Sequence, residues 1–192
     1  MAVRSVRREK FKFKWTKELI FLIVGLLAVI ITTICLALPT KEDKFLAKWE
    51  AAQLPRKAAV SELSESSILD KINNSGEYVF VFYGTPADET SVTNIKTIET
   101  TAKAFDVKNV YWLDATEVFE TTEEVKDTKD FKDKIDSREE ALGGVDLLKY
   151  GSFWVYNEKG ELVLDSTTFD NGETFVQIVT KGFGDFKALP KE

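Results

Sequence analysis

Residues 78–90 read YVFVFYGTPADET. The first six are β-branched or aromatic without a polar break, the pattern of a strand covered on both faces of a sheet. Gly84-Thr-Pro-Ala-Asp88 then carries turn residues. From Asp88 onward Val92, Ile95, Ile98, Ala102 and Phe105 recur at spacings of three and four, which predicts a helix over 88–105. Residues 109–114 (NVYWLD) form a second apolar strand. Strand, helix and strand make a parallel crossover unit, with residues 77–84 in mid-sheet.

The same reading extends in both directions. Upstream, residues 58–63 suggest a short first strand, and residues 64–72 a helix that Ser64 caps and that carries Ile68, Leu69 and Ile72 on one face. Asn73-Asn-Ser-Gly76 stops it. Downstream, residues 117–140 alternate acids and lysines around a few spaced apolar positions, a solvated helical insertion. Asp127, Asp130, Asp133 and Asp136 repeat every three residues with no glycine among them, which suits a charged helix face and not a calcium loop. A short helix over 139–148, interrupted by Gly143-Gly144, precedes a strand at 152–156, a turn at Asn157-Glu-Lys-Gly160, an antiparallel strand at 161–165 and a last helix over 171–181. The order βαβαβαββα is that of an α/β fold.

Charge and hydropathy divide the chain differently. The first 18 residues hold seven Lys or Arg against two Glu, so the net charge of −6 for 192 residues conceals a basic start and an acidic remainder. Residues 19–38 (LIFLIVGLLAVIITTICLAL) are uncharged, and at about 1.5 Å rise per residue they match the ~30 Å hydrocarbon core. The expectation is a retained transmembrane helix, Leu19 to Leu38. The run exceeds the ~7–15 apolar residues of a cleaved signal, and Leu36-Ala-Leu-Pro39 is a poor cleavage site. Ile34 is too bulky before Cys35 for a lipoprotein site. The basic residues place 1–18 in the cytoplasm, with Phe11, Phe13 and Trp15 as interfacial aromatics, and residues 58–192 on the far side of the membrane. Between them, residues 39–57 place Phe45, Leu46, Trp49 and Ala52 at helical spacing before Pro55, a juxtamembrane helix or stalk.

Chemistry is bounded by what is missing. The chain has no histidine and a single cysteine, Cys35, inside the apolar run. Serine-histidine hydrolysis, most zinc sites and any disulfide within residues 58–192 are therefore excluded. The acidic remainder argues against nucleic acid as a ligand.

The strand Val79-Phe-Val-Phe-Tyr83 leading into a loop and long helix, with the hairpin Phe153-Trp-Val-Tyr-Asn-Glu-Lys-Gly-Glu-Leu-Val163 late in the chain, resembles the thioredoxin-like superfamily over roughly residues 58–186. The resemblance implies a three-layer sandwich around a mixed sheet. It is strongest at Phe82-Tyr-Gly-Thr-Pro-Ala-Asp-Glu-Thr90, similar to the family's strand end and Cys-x-x-Cys loop, with Ala87 and Thr90 in the register of the two cysteines. The family's cis-proline position falls on Gly151 or Ser152. Disulfide exchange needs a thiolate that neither Ala87 nor Thr90 supplies, so the resemblance implies a domain that is not an enzyme, with no cofactor. Asp88 and Glu89 read as first-turn carboxylates at the positive end of a helix.

What the resemblance leaves is binding. The family holds extended peptide beside this loop, and here the groove would be formed by Tyr83, Thr85, Pro86, Ala87, Thr90, Trp112, Tyr150 and Gly151. The expectation is a membrane-anchored, redox-inactive module for protein or peptide, similar to the accessory proteins of bacteriocin or peptide export. An oxidoreductase of that export class and a structural subunit of a membrane complex are the alternatives.

Overall fold

A computed structural model describes residues 16–168 and 172–186, without the side chains of 34–37. The basic tail and its aromatics at 11, 13 and 15 lie outside the described residues. The chain divides into two compact units, one ending at Thr40 and one starting at Lys41.

Among the described residues the first unit holds one helix, α1 (Lys17–Ala37), over the stretch read as a membrane span. Most of its described apolar side chains are exposed, Phe21 and Leu22 among them, with Leu19 and Ile23 half-buried. Among the described residues, no helix is long and apolar enough to cross a membrane, the described side chains of α1 ending at Thr33.

The second unit begins with α2 (Lys41–Lys48) and a single 3-10 turn (Glu50–Ala52). Then follow β1 (Val60–Glu62), α3 (Glu65–Asn74), β2 (Val79–Gly84), α4 (Glu89–Ala104), β3 (Val110–Asp114), α5 (Thr116–Glu120), α6 (Glu123–Lys126), α7 (Lys129–Ala141), β4 (Ser152–Tyr156), β5 (Leu162–Asp165) and α8 (Phe175–Phe186). The strands form one mixed sheet in the order β1-β3-β2-β4-β5. β2 pairs parallel with β3 and antiparallel with β4, so the apolar strand of the opening stretch is central, and all six of its residues are buried.

Alternation along the strands sends side chains to two cores. Phe80, Phe82, Val110, Trp112, Phe153 and Val155 face one layer, built from α2, α4 and α8. Val79, Val81, Tyr83, Leu113, Trp154 and Tyr156 face the other, built from α3, α5 and α7 with the chain that follows α7. The architecture is a mixed α/β sandwich of three layers.

Three boundaries depart from the sequence reading. Residues 41–57 are no stalk ahead of a domain at 58. Phe45 and Trp49, one helical turn apart, are 4% and 1% exposed and pack 5.6 and 5.2 Å from the Trp112 ring. Burying such side chains contributes about 1.5–3 kcal/mol each, so the segment joins the core. No separate helix occupies 139–148: α7 runs through Ala141, and Gly143 and Gly144 follow at φ 85°. The last helix extends to Phe186, and Gly182 within it lets it lie close against β4. A Cβ on Gly182 would fall 2.8 Å from Phe153 Cε1, and Phe183 beside it is fully buried.

Candidate functional site

The loop between β2 and α4 is closed upon itself. Asp88 caps α4, its Oδ2 accepting from the Ser91 amide at 2.7 Å and the Ser91 hydroxyl at 2.8 Å. Ser and Asp here satisfy a helix end, with Ser91 fully buried. Thr85 is buried and shares a 2.9 Å hydrogen bond with the Thr116 hydroxyl, while its carbonyl accepts from the Asp88 amide at 3.2 Å. The Trp112 indole donates to the Gly84 carbonyl at 2.8 Å. A Cβ on Gly84 would fall 2.8 Å from Phe82 and Ser91, so glycine is required for this closure.

The residues expected to line a groove are only partly brought together. Tyr83 is fully buried, stacks on Trp154 at 5.3 Å and donates its hydroxyl to the Leu147 carbonyl at 2.8 Å. Burial pushes that hydroxyl well above the usual tyrosine range. Trp112 is buried on the opposite face of the sheet. Tyr83 and Trp112 thus belong to two cores and form no common wall. At the surface, Ala87 and Thr90 are exposed and Pro86 and Tyr150 half-buried. Gly151, at φ 73°, sits against the first turns of α4, its carbonyl accepting from Asn94 Nδ2 at 2.7 Å. Tyr150 packs edge-on against Phe119 at 5.2 Å. Among the described residues, no group of three His, Cys, Asp or Glu is placed to hold a metal ion.

An open concavity lies elsewhere in the domain. A cleft of about 960 Å³ opens where α2, β1, the end of β3 and Arg138 meet, near the upper size of small-ligand sites. Its floor is apolar, with Phe45, Val60, Leu63 and Leu113, and charges stand around it. Arg138 grips both carboxylate oxygens of Glu65, the shortest contact 2.6 Å. Lys48 bridges Glu62 at 2.7 Å and Asp114 at 3.7 Å. Burial opposes the charge on Arg138, but its hydrogen bond to Glu65 and that carboxylate's charge outweigh it and hold the guanidinium above its ordinary value. Lys41, Lys44 and Lys57 line the cleft too. Sequence reasoning missed this site. Its one visible signal was the amphipathic stripe of 40–57, whose docking against Trp112 creates the wall.

No family model matches the chain and no curated protein matches it.

Proposed function

We propose that the chain is a membrane-anchored, redox-inactive thioredoxin-like binding module that holds a protein or extended peptide outside the cell. The observation that carries this reading is the contrast between its two surfaces. The loop at the start of α4 spends its polar groups on its own structure and offers no thiol, whereas the cleft beside β1 is open, apolar at its base and charged at its rim. The βαβ crossover followed by a hairpin in one five-stranded sheet supports the thioredoxin-like assignment. The uncharged run from Leu19 to Leu38 and the exposed apolar side chains of α1 support the anchor.

Two measurements test it. In detergent micelles the full chain leaves insulin disulfides intact, with Cys35→Ala as the control for the single thiol; reduction by both forms sinks the redox-inactive reading. A photo-reactive residue at Ser61, introduced in cells that express the chain, crosslinks a discrete protein. Crosslinking confined to position 87 returns the binding surface to the helix-start loop.

A further inference from the structure

Trp112 joins two parts of the domain that the chain keeps far apart. Its indole Nε1 donates to the Gly84 carbonyl at 2.8 Å, and that carbonyl also accepts from the Ala115 amide at 3.0 Å, so two bonds fix the point where β2 runs into the loop before α4. The Trp112 ring is fully buried, and the segment that follows Thr40 helps to cover it. Phe45 lies 5.6 Å from it, Trp49 packs edge-on at 5.2 Å, and Lys48 Nζ stands over its face at 5.1 Å.

A polar route runs beside the packed one. Lys48 bridges Glu62 at 2.7 Å and Asp114 Oδ2 at 3.7 Å. The other oxygen of Asp114 accepts from the Thr116 amide at 2.9 Å and from the Thr116 hydroxyl at 2.5 Å, and that hydroxyl shares a 2.9 Å bond with Thr85. The Thr85 carbonyl accepts in turn from the amide of the cap residue Asp88. Both routes start on α2 and end on the loop at the start of α4.

The hold on α2 itself is light. Between Lys41 and Lys57 only Phe45, Trp49 and Ala52 are buried. The Trp49 indole nitrogen is buried without a hydrogen-bond partner among the described residues, which offsets part of what its packing contributes. Lys48, Glu62 and Asp114 are each more than a third exposed, and Arg56 stands 3.9 Å from Asp43 with most of its side chain in solvent, so these ion pairs add little. One flank of α2 borders the open cleft instead of packed side chains. Gln53, which ends the 3-10 turn, has φ 51°, a left-handed conformation unfavourable for a residue with a Cβ, and Pro55 follows it. Few buried contacts and a strained end mark a segment that opens more readily than the sheet beneath it.

We infer that residues 41–53 act as a strap over Trp112, and that its docking holds the loop between β2 and α4 in place. When the strap lifts, Trp112 loses the cover of Phe45 and Trp49 and Asp114 loses Lys48, so the packed and polar routes slacken together. The coupling works in both directions: whatever tightens the loop also seats the strap. It links the two surfaces compared above and holds whichever of them meets a partner.

Native-state amide hydrogen exchange on the full chain in detergent micelles tests this, with the Trp112 indole proton followed by NMR. The amides of Trp49, Ala52, Asp88 and Ala115 and the Trp112 indole are expected to exchange through one opening with a common denaturant dependence, at least about tenfold faster than Val81 and Val155 in the sheet. Phe45→Ala speeds this opening about a hundredfold, and Phe45→Leu, the milder change, speeds the same groups by less. Thr116→Val, at the far end of the polar route, speeds exchange at Trp49 and Ala52 about tenfold. Tyr156→Phe, which removes a buried bond in the other core, speeds Val155 and leaves the strap and the loop at the parent rate. Release of residues 41–53 in the Phe45 variants with Asp88 and the Trp112 indole still protected overturns the inference. So does an opening of strap and loop that Tyr156→Phe accelerates equally with the sheet.

Discussion

Glu99 Oε2 accepts a hydrogen bond from the backbone amide of Ala59 at 2.7 Å, joining the middle of α4 to the start of β1 across forty positions of sequence. The carboxylate is 3% exposed, reaches the Val60 amide at 3.4 Å and has Lys103 at 3.6 Å from its other oxygen, which makes no hydrogen bond. A buried acceptor of two amides pins the edge strand where a ladder bond is missing. Glu99→Ala is expected to destabilise the domain by about 1–3 kcal/mol, the range for stranding buried donors, and to speed exchange of the Ala59 and Val60 amides. Glu99→Gln retains an acceptor and loses less. Equal losses in urea unfolding for both variants would count against the clamp.

Asp88 fastens the start of the same helix. Asp88→Ala removes the acceptor for Ser91 N and Oγ and is expected to destabilise by about 1 kcal/mol, with Asp88→Asn nearer the parent. Thermal unfolding of the three proteins gives the ranking. An Ala variant as stable as the parent would deny the cap any role.

Gly151 holds a left-handed backbone against α4. A Cβ there would approach Asn94 Nδ2 to 3.0 Å and Thr90 Cγ2 to 3.3 Å. Gly151→Ala combines that crowding with strain at φ 73° and is expected to lose roughly 1–3 kcal/mol. The combination with Asn94→Ala relieves the crowding, and a double-mutant cycle should return less than the sum of the single losses.

Tyr83 and Tyr156 donate to the carbonyls of Leu147 and Leu142, each at 2.8 Å, and burial raises both hydroxyls above the ordinary value of 10.0. A pKa raised on folding means that the stabilisation is complete below about pH 10, where the unfolded chain begins to ionise, and is lost as the pH rises beyond it. Urea unfolding between pH 8 and 11 should show stability falling above pH 10. Tyr83→Phe is expected to lose about 1 kcal/mol at pH 8 and to flatten that fall. A fall that is unchanged in the Phe variants would place its origin elsewhere.

The strand, helix and turn assignments around Val79–Gly84 were readable because each rests on local pattern: an unbroken apolar run, a period of three to four, and capping residues such as Ser64 and Asp88 whose side chains bond three residues ahead. The candidate groove was not readable in the same way. Tyr83 and Trp112 both sit in apolar strands, yet their registers send them to opposite faces, and only pairing across β2 and β3 settles which. Residues 41–57 disclosed an apolar stripe without its counterpart, since Trp112 lies more than sixty positions away.

Residue order and type were enough to set the α/β sequence of elements, the exclusion of thiol chemistry after Cys35 and the apolar run at 19–38, because these depend on composition and short-range periodicity. Which polar groups are already spoken for depended on long-range contacts: Glu99 to Ala59, Lys48 to Glu62 and Arg138 to Glu65. Hydrogen bonds and charges compete for partners in space, and sequence distance does not rank those partners.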